Sequence, residues 1–349
     1  MKQFHIGRKV ISHQHPCYVI AEMGVNHNGK EALAIKLVEE AVKAGVDAIK
    51  FSRFDPYKVH SKESRSAYCL EDSCRYDSHM ADLTRKMDLS NEVLVKMAQL
   101  CKKLNVDFLS TPFDENSVDF LVKLGVPAIK IGSGDLTADP FLSYVAKQKL
   151  PVVLSTGMSN MEEVHHAVTV LMENGCPELA LLHCVSNFPA QVEGLNLKVI
   201  QTLEREFDVP VGFSDHTTAI DTAGVAVASG ACIIEKHFTL DQALPGPDHQ
   251  YSLDPHEMAQ MIKEIRQVEK VLGVEQKVPT AAELEYRKFG RRSIVARVTI
   301  EPDTVITETM ITLKRPGTGI SPRDLYKVLG KKAKVRIGED EILTWDKLV

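Results

Sequence analysis

Along most of the chain, short apolar runs rich in β-branched residues alternate with longer stretches whose apolar positions recur every three or four residues. Eight runs read as strands: 17–22, 47–52, 107–111, 128–131, 151–155, 179–184, 210–214 and 232–237. Amphipathic segments separate them. In 31–44, Ala34, Leu37, Val38, Ala41 and Val42 fall on one helix face. The helix over 90–104 opens on Ser90 as N-cap, and the one over 159–174 opens on Ser159 with Glu162 as a capping box. A long charged helix is predicted over 254–272. Eight strand–helix repeats favour an α/β fold of the (β/α)8 TIM-barrel type over an open doubly wound sheet. Residues 53–88 form an oversized connection after the second strand, a length typical of lids and partner contacts.

Past about residue 277 the pattern changes. Short strand-like pieces at 292–300, 305–306, 310–314, 333–337 and 341–343 are punctuated by turns such as Glu301-Pro302-Asp303 and Arg315-Pro316-Gly317. The predicted organisation is a barrel domain over 1–276, a linker over 277–283 and a small β-rich domain over 284–349.

Composition adds exclusions. At 349 residues, 44% hydrophobic and 26% charged, the chain has the make-up of a globular protein with a large core. A net charge of −5 gives no global basic footprint for nucleic acid. Residues 284–349 carry 14 Lys/Arg against 9 Asp/Glu, a net of +5, and the rest carries 28 against 38, a net of −10. A basic tail on an acidic body suggests two units that attract, within or between chains. The start of the sequence lacks the apolar segment of a signal peptide, and no run reaches the length of a membrane span. Seven scattered Cys fit free thiols in a reducing cytoplasm.

In a barrel of this type chemistry gathers at the C-terminal ends of the strands. All eight predicted ends carry polar or ionisable groups: Glu22, Lys50 with Ser52, Ser110 with Thr111, Lys130 with Ser133, Ser155, His183, Ser214 with His216, and Glu235 with His237. Unpaired, these would cost stability, so their convergence reads as function. Lys50, Thr111, Lys130, Ser133 and Ser155 suit an anion bearing phosphate and carboxylate, with Gly132, Gly134 and Gly157 letting backbone N–H groups approach it. His216 and His237 end adjacent strands and are candidate ligands for a divalent transition metal. Strand parity turns Glu235 and His237, and likewise Ser214 and His216, to the barrel interior. Glu22 is the candidate general base or water-orienting group.

Weaker signals point elsewhere. His13-Gln14-His15 has a hydrolase-like pattern but precedes the first strand, at the wrong end. Cys69, Cys74 and His79 offer an incomplete zinc spacing, and Cys184 and Cys232 read as core thiols. A metal-dependent hydrolase, a Schiff-base aldolase and a non-catalytic carbohydrate-binding barrel protein are the competing classes. The mouth combines a base, a metal pair and an anion site, which binding alone does not require.

At these residues the sequence resembles the sialic acid synthase family, the nonulosonic acid synthases. The resemblance spans essentially the whole chain. It rests on Ala21-Glu22-Met23-Gly24-Val25-Asn26-His27-Asn28-Gly29, Phe108-Leu109-Ser110-Thr111-Pro112-Phe113, Lys130-Ile131-Gly132-Ser133-Gly134, Leu154-Ser155-Thr156-Gly157-Met158 and Leu182-His183-Cys184. Gly212-Phe213-Ser214-Asp215-His216, Glu235-Lys236-His237-Phe238, Pro245-Gly246-Pro247-Asp248 and Lys314-Arg315-Pro316-Gly317 extend it. The resemblance implies a barrel followed by an antifreeze-like (SAF) domain, in a cytoplasmic, domain-swapped homodimer. It implies a transferase that condenses phosphoenolpyruvate with an N-acetylated mannosamine-type sugar, breaking the phosphate C–O bond, with Mn2+ or another divalent ion such as Mg2+ or Co2+.

By resemblance Lys50, Thr111, Lys130, Ser133, Ser155, Ser186 and Ser214 hold phosphoenolpyruvate, His216 and His237 hold the metal, and Glu22 serves the attacking water. Glu235 and Asp248 line the sugar and metal side, and Arg315 reaches the N-acetyl end from the partner subunit. Two departures fall on the sugar side: Ser52 stands where the family usually has Gln, and Phe188 where it often has Tyr. The expected acceptors are, in order, N-acetylmannosamine giving N-acetylneuraminate, a 2,4-diacetamido-6-deoxy sugar giving N,N'-diacetyllegionaminate, and the precursor of pseudaminate.

Overall fold

The structure is a computed structural model that describes residues 4–61, 81 and 85–349. A hairpin comes first, β1 (Phe4–Ile6) and β2 (Lys9–Ile11), paired antiparallel with Phe4 opposite Ile11. The barrel strands follow: β3 (Tyr18–Glu22), β4 (Ala48–Arg53), β5 (Asp107–Pro112), β6 (Ile129–Ile131), β7 (Val152–Ser155), β8 (Leu179–Cys184), β9 (Val211–Asp215) and β10 (Ile233–His237). They hydrogen-bond in parallel in the order β5-β4-β3-β10-β9-β8-β7-β6. β5 and β6, at the two ends of that order, lie alongside each other and bring the sheet round into a barrel. Every predicted barrel strand is present, with ends displaced by at most one residue.

Parity divides the strand residues between two apolar layers. Val19, Ala21, Ile49, Phe51, Leu154, Phe213 and Ile234 point outward, into the helices. There the helix Glu31–Ala44 buries Ala34, Leu37, Val38 and Ala41, the predicted face. Tyr18, Ile20, Ala48, Leu109, Val153, Leu182 and Ile233 point inward and pack with Phe4, Ile6 and Ile11. The hairpin thus plugs the N-terminal end of the barrel with apolar side chains. It was not expected from the sequence, although Phe4, Ile6 and the left-handed Gly7 carry the signature of alternation and a turn. With that end closed, the inward positions nearer the C-terminal ends are left to the polar residues.

Ser90 caps Asn91–Lys103 as predicted. The capping box of Met161–Glu173 lies one residue later than predicted. Asn160 accepts from the Glu163 N–H and Glu163 accepts from the Asn160 N–H, while Ser159 donates to the Gly157 carbonyl. Asn wins because its amide oxygen reaches the third helical N–H from an extended backbone.

The chain divides into two compact units, Met1–Gly273 and Val274–Val349. In the second, the helix Ala281–Gly290 begins inside the expected linker. β11 (Ser293–Ala296) pairs antiparallel with β12 (Ile311–Lys314). The other predicted pieces form single bridges, such as Val305 with Lys332 and Val295 with Ile342. A core of its own includes Ile294, Ile300, Ile311, Val328, Ile337 and Leu343. No helix among the described residues is long and apolar enough to cross a membrane.

Candidate active site

The inward parity that buries Ile20, Ala48 and Ile233 turns Glu22, Lys50 and Glu235 into the barrel one step further along each strand. The three are 4–5% exposed and Lys130 is 3% exposed, so four charges share one buried volume. Lys50 Nζ contacts Glu22 Oε2 directly, donates to Thr111 Oγ1 at 3.0 Å and lies 3.7 Å from Glu235 Oε1. Lys130 Nζ lies 3.5 Å from the same Glu235 oxygen, which also accepts from Ser214 Oγ at 3.1 Å. The cluster is balanced, two cations against two carboxylates. Glu235 Oε2 has no hydrogen-bond partner, and Glu22 Oε2 has the Lys50 contact alone.

Burial separates the four groups. It raises the Glu22 carboxyl, and the Glu235 charge adds to this, against the pull of Lys50. Burial also acts to raise Glu235, but Lys130 and Lys50 outweigh it and hold this carboxyl below its ordinary range. Lys50 is raised because Glu22 and Glu235 overcome the burial that would lower it. Lys130 is lowered by burial. Glu22 is therefore the carboxylate nearer to exchanging a proton, and Glu235 the fixed countercharge.

Of the hydroxyls predicted for the anion, Thr111 and Ser214 bond members of this cluster. Ser155 Oγ is buried without a partner, a donor in want of an acceptor. Ser133 Oγ accepts from the Gly157 N–H at 2.9 Å. A Cβ at position 157 would stand 2.2 Å from Ser186 Oγ and 2.8 Å from Ser133 Oγ, so only glycine lets these two serines converge. Ser52 stands in register with Thr111 and is half-buried.

The two histidines adjoin, with ring centroids 5.4 Å apart. His216 Nδ1 lies 3.0 Å from the Val185 carbonyl, which can only accept. In the neutral ring the proton therefore sits on Nδ1, and Nε2 keeps a lone pair. His237 Nδ1 is buried with no hydrogen-bond partner, 3.9 Å from Asp248 Oδ2. Burial, together with His216 and Lys50, holds this imidazole neutral, well below its ordinary value. Burial would lower the His216 imidazole, but Cys184 and the Val185 carbonyl outweigh it and raise it, so a divalent ion would displace its proton from Nε2. With neutral His237 and a carboxylate close by, the pair fits such an ion. Among the described residues no cluster of three or more His, Cys, Asp and Glu could hold one alone. Two histidines would leave positions open to water and substrate oxygens.

Phe188 covers His216 at 4.2 Å between centroids, and Tyr251 lies 5.1 Å from His237 and 5.4 Å from Phe188. Tyr251 donates to Asp248 Oδ1 at 2.6 Å. Gly24, at φ +48°, brings Asp248 in closely, since a Cβ there would stand 2.6 Å from Oδ2. Glu22 Oε1 accepts from the Gly24 N–H at 2.7 Å. Thus Phe188 and Asp248 lie on the histidine side of the mouth. Arg315 lies in the second unit, directly after β12, and is exposed.

Three residues were misjudged or missed. Cys184 was expected in the core, but its sulfur lies 3.7 Å from both Ser186 Oγ and His216 Nδ1. Burial would push its thiol up, yet the contacts with His216, Ser133 and Ser186 bring it down to about 7. Its parity with Ala180 and Leu182 already placed it inward. Asp135, two residues past Ser133, has a buried, unpartnered Oδ2 and a carboxyl raised by burial to about 6 against the pull of Lys130. Tyr251 follows a proline–glycine loop whose course the sequence pattern does not reveal. His13 and His15 line a cavity of about 320 Å3 with Cys17 and Cys232, beside the start of β3. They bond Glu204 and Ser12 there and take no part in the mouth. Cys69, Cys74 and His79 lie outside the described residues.

Comparison with known proteins gives matches over the same span. Residues 37–277 match the NeuB family and residues 291–349 the SAF domain. An uncharacterized protein of Methanocaldococcus jannaschii is 43% identical over 100% of this chain and 99% of its own length. The N,N'-diacetyllegionaminic acid synthase of Legionella pneumophila is 41% identical over 95% of this chain and 94% of its own. A crystal structure of the N-acetylneuraminic acid (sialic acid) synthetase of Leptospira borgpetersenii, in complex with citrate, superposes with a TM-score of 0.73. It covers 82% of this chain and 96% of that one at 32% identity.

Proposed function

The chain belongs to the NeuB family and is a synthase that condenses phosphoenolpyruvate with a sugar, and on that premise we propose that its acceptor is a 2,4-diacetamido-6-deoxy sugar, giving N,N'-diacetyllegionaminate. The observation that carries the chemistry is the buried cluster of Glu22, Lys50, Lys130 and Glu235 at the barrel mouth. Two lysines with Thr111, Ser133, Ser155, Ser186 and Ser214 around them supply the cations and hydroxyls that a phosphate and a carboxylate need. Identity supports the acceptor, 41% to the legionaminic acid synthase against 32% to the sialic acid synthetase. The sequence alone ranked N-acetylmannosamine first, and the proposal reverses that order on the strength of this identity.

In the reaction, carbon 3 of phosphoenolpyruvate attacks the sugar aldehyde and carbon 2 becomes an oxocarbenium. Water adds there, and the adduct expels phosphate with cleavage of its C–O bond. Lys50 and Lys130 hold the anion and Glu235 fixes both lysines. Glu22, its carboxyl raised by burial, takes the proton from the adding water. His216 and His237, with Asp248 beside them, would hold a divalent ion, which supplies Lewis acidity to the aldehyde oxygen. Phe188 and Tyr251 wall that side from water.

The test is incubation of the chain with Mn2+, phosphoenolpyruvate and each sugar in turn, with phosphate release and product mass as readouts. Turnover with the diacetamido sugar and little with N-acetylmannosamine supports the proposal. The reverse preference returns the assignment to N-acetylneuraminate, and failure with both overturns the acceptor class.

A further inference from the structure

Behind the mouth, the strands that carry the two histidines hold a second pair of charges. Asp215 ends β9, Lys236 is the penultimate residue of β10, and the two are register partners. Both have the parity opposite to Ser214 and Glu235, so they point away from the barrel interior. Lys236 Nζ lies 2.9 Å from Asp215 Oδ2, and both side chains are completely buried. The same ammonium donates to the Thr217 carbonyl at 2.6 Å, the Ala219 carbonyl at 3.0 Å and Thr217 Oγ1 at 3.1 Å. Asp215 accepts from the Thr217 N–H at 2.8 Å and from Thr222 Oγ1 at 2.6 Å.

Apolar residues of similar volume often match or exceed a buried ion pair in stability. What this pair adds is geometric. It ties the segment from Asp215 to Thr222, which carries His216, to the strand that ends in His237. Each histidine directly follows one member of the pair in sequence. A ligand pair whose separation is set by one strand and one loop needs that loop fastened to the strand.

We propose that the Asp215–Lys236 pair is a positioning device that fixes the spacing and orientation of His216 and His237 for a divalent ion. The inference rests on the reading of these histidines as the metal site. Its action is on the loop, through the carbonyls of Thr217 and Ala219, and it touches neither substrate nor metal.

A single Lys236 substitution would leave Asp215 buried without its cation, so the test removes both charges in Asp215→Asn/Lys236→Met. The Asn oxygen still accepts from the Thr217 N–H, and Met fills the volume of the lysine stem. A second variant, Thr222→Val, deletes one bond to Asp215 and leaves both charges in place. Mn2+ affinity is measured by calorimetric titration, phosphoenolpyruvate affinity is measured on the metal-free chain, and Tm is recorded. The expected result is Mn2+ binding weakened about 10- to 100-fold in the double variant. Thr222→Val should show a smaller loss in the same direction, with phosphoenolpyruvate affinity unchanged. Should the double variant fail to fold, Thr222→Val alone decides. Unchanged Mn2+ affinity overturns the inference, and so does a parallel loss of Mn2+ and phosphoenolpyruvate binding, which would mark general loosening. A native chain that binds no Mn2+, or a His237→Ala variant that binds it as tightly as the native chain, overturns the metal reading itself and the inference with it.

Discussion

Lys130 Nζ and Glu235 Oε1 lie 3.5 Å apart with both side chains almost wholly buried. The same Glu235 oxygen lies 3.7 Å from Lys50 and accepts from Ser214. One carboxylate thus serves as countercharge to two candidate anion-binding lysines before any substrate arrives. The arrangement keeps both lysines in place, and a trianionic ligand would have to compete with it.

Lys130→Met should remove one of two cations and leave Glu235 undercompensated. Breaking a buried pair from one side costs about 3–5 kcal/mol, and with Lys50 still near the lower end is expected. Urea unfolding measures that loss, and titration should show phosphoenolpyruvate binding falling with it. Lys130→Met/Glu235→Gln should recover most of the stability and none of the affinity. If affinity returns with stability, Lys130 is a structural cation only.

Glu22→Gln should separate binding from chemistry. The amide oxygen can accept from the Gly24 N–H or face Lys50, but not both, so some stability should be lost while the fold and the two lysines that bind phosphoenolpyruvate persist. Loss of a positioned base should lower kcat by about 10²–10⁴. Single-turnover phosphate release is the measurement, and an unchanged rate would remove Glu22 from the mechanism.

Much of this site was legible because period-two alternation needs no tertiary information. Once Ile20, Ala48 and Ile233 are assigned inward, Glu22, Lys50 and Glu235 follow. Cys184 obeyed the same rule and was misread because a lone Cys resembles a small apolar residue. The pairing of Lys236 with Asp215 was not legible, since it depends on the register between β9 and β10, which neither strand encodes alone. Nor was the approach of Asp248 to His237, which depends on the path of a loop that runs through Pro245-Gly246-Pro247. The N-terminal hairpin escaped notice because its strands have three residues each, too short for periodicity to stand out.

Stability should fall with acid partly through His27. It is 3% exposed, and Nδ1 accepts from the Gly29 N–H at 3.2 Å. Burial lowers its imidazole from 6.5 to about 4. The unfolded chain takes up the proton near pH 6.5, whereas the folded chain resists it until about pH 4. The contribution is therefore complete above the higher value and is lost as the pH falls through that window. Between pH 7 and pH 4.5 this one group should account for about 2 kcal/mol. Urea unfolding of the native chain and of His27→Gln at both pH values measures it. Equal losses in the two proteins would mean that His27 titrates normally.

Gly157→Ala tests whether convergence of hydroxyls makes the anion site. Gly157 has no need of a left-handed backbone, since its φ is not positive, so the substitution introduces no backbone strain. The obstacle is local: the new methyl would stand 2.2 Å from Ser186 Oγ, 2.8 Å from Ser133 Oγ and 3.1 Å from Cys184 Sγ. These side chains must turn away, and the Gly157 N–H, which donates to Ser133 at 2.9 Å, must shift with them. Overpacking of this kind costs about 1–3 kcal/mol, which the Tm will register. Affinity for phosphoenolpyruvate should drop further than the loss of any one serine would produce, because Ser133 and Ser186 move together. Ser133→Ala and Ser186→Ala supply that comparison by titration. If Gly157→Ala binds phosphoenolpyruvate as tightly as the native chain, the two serines are not where the phosphate sits, and the anion site reduces to the lysine pair with Thr111, Ser155 and Ser214.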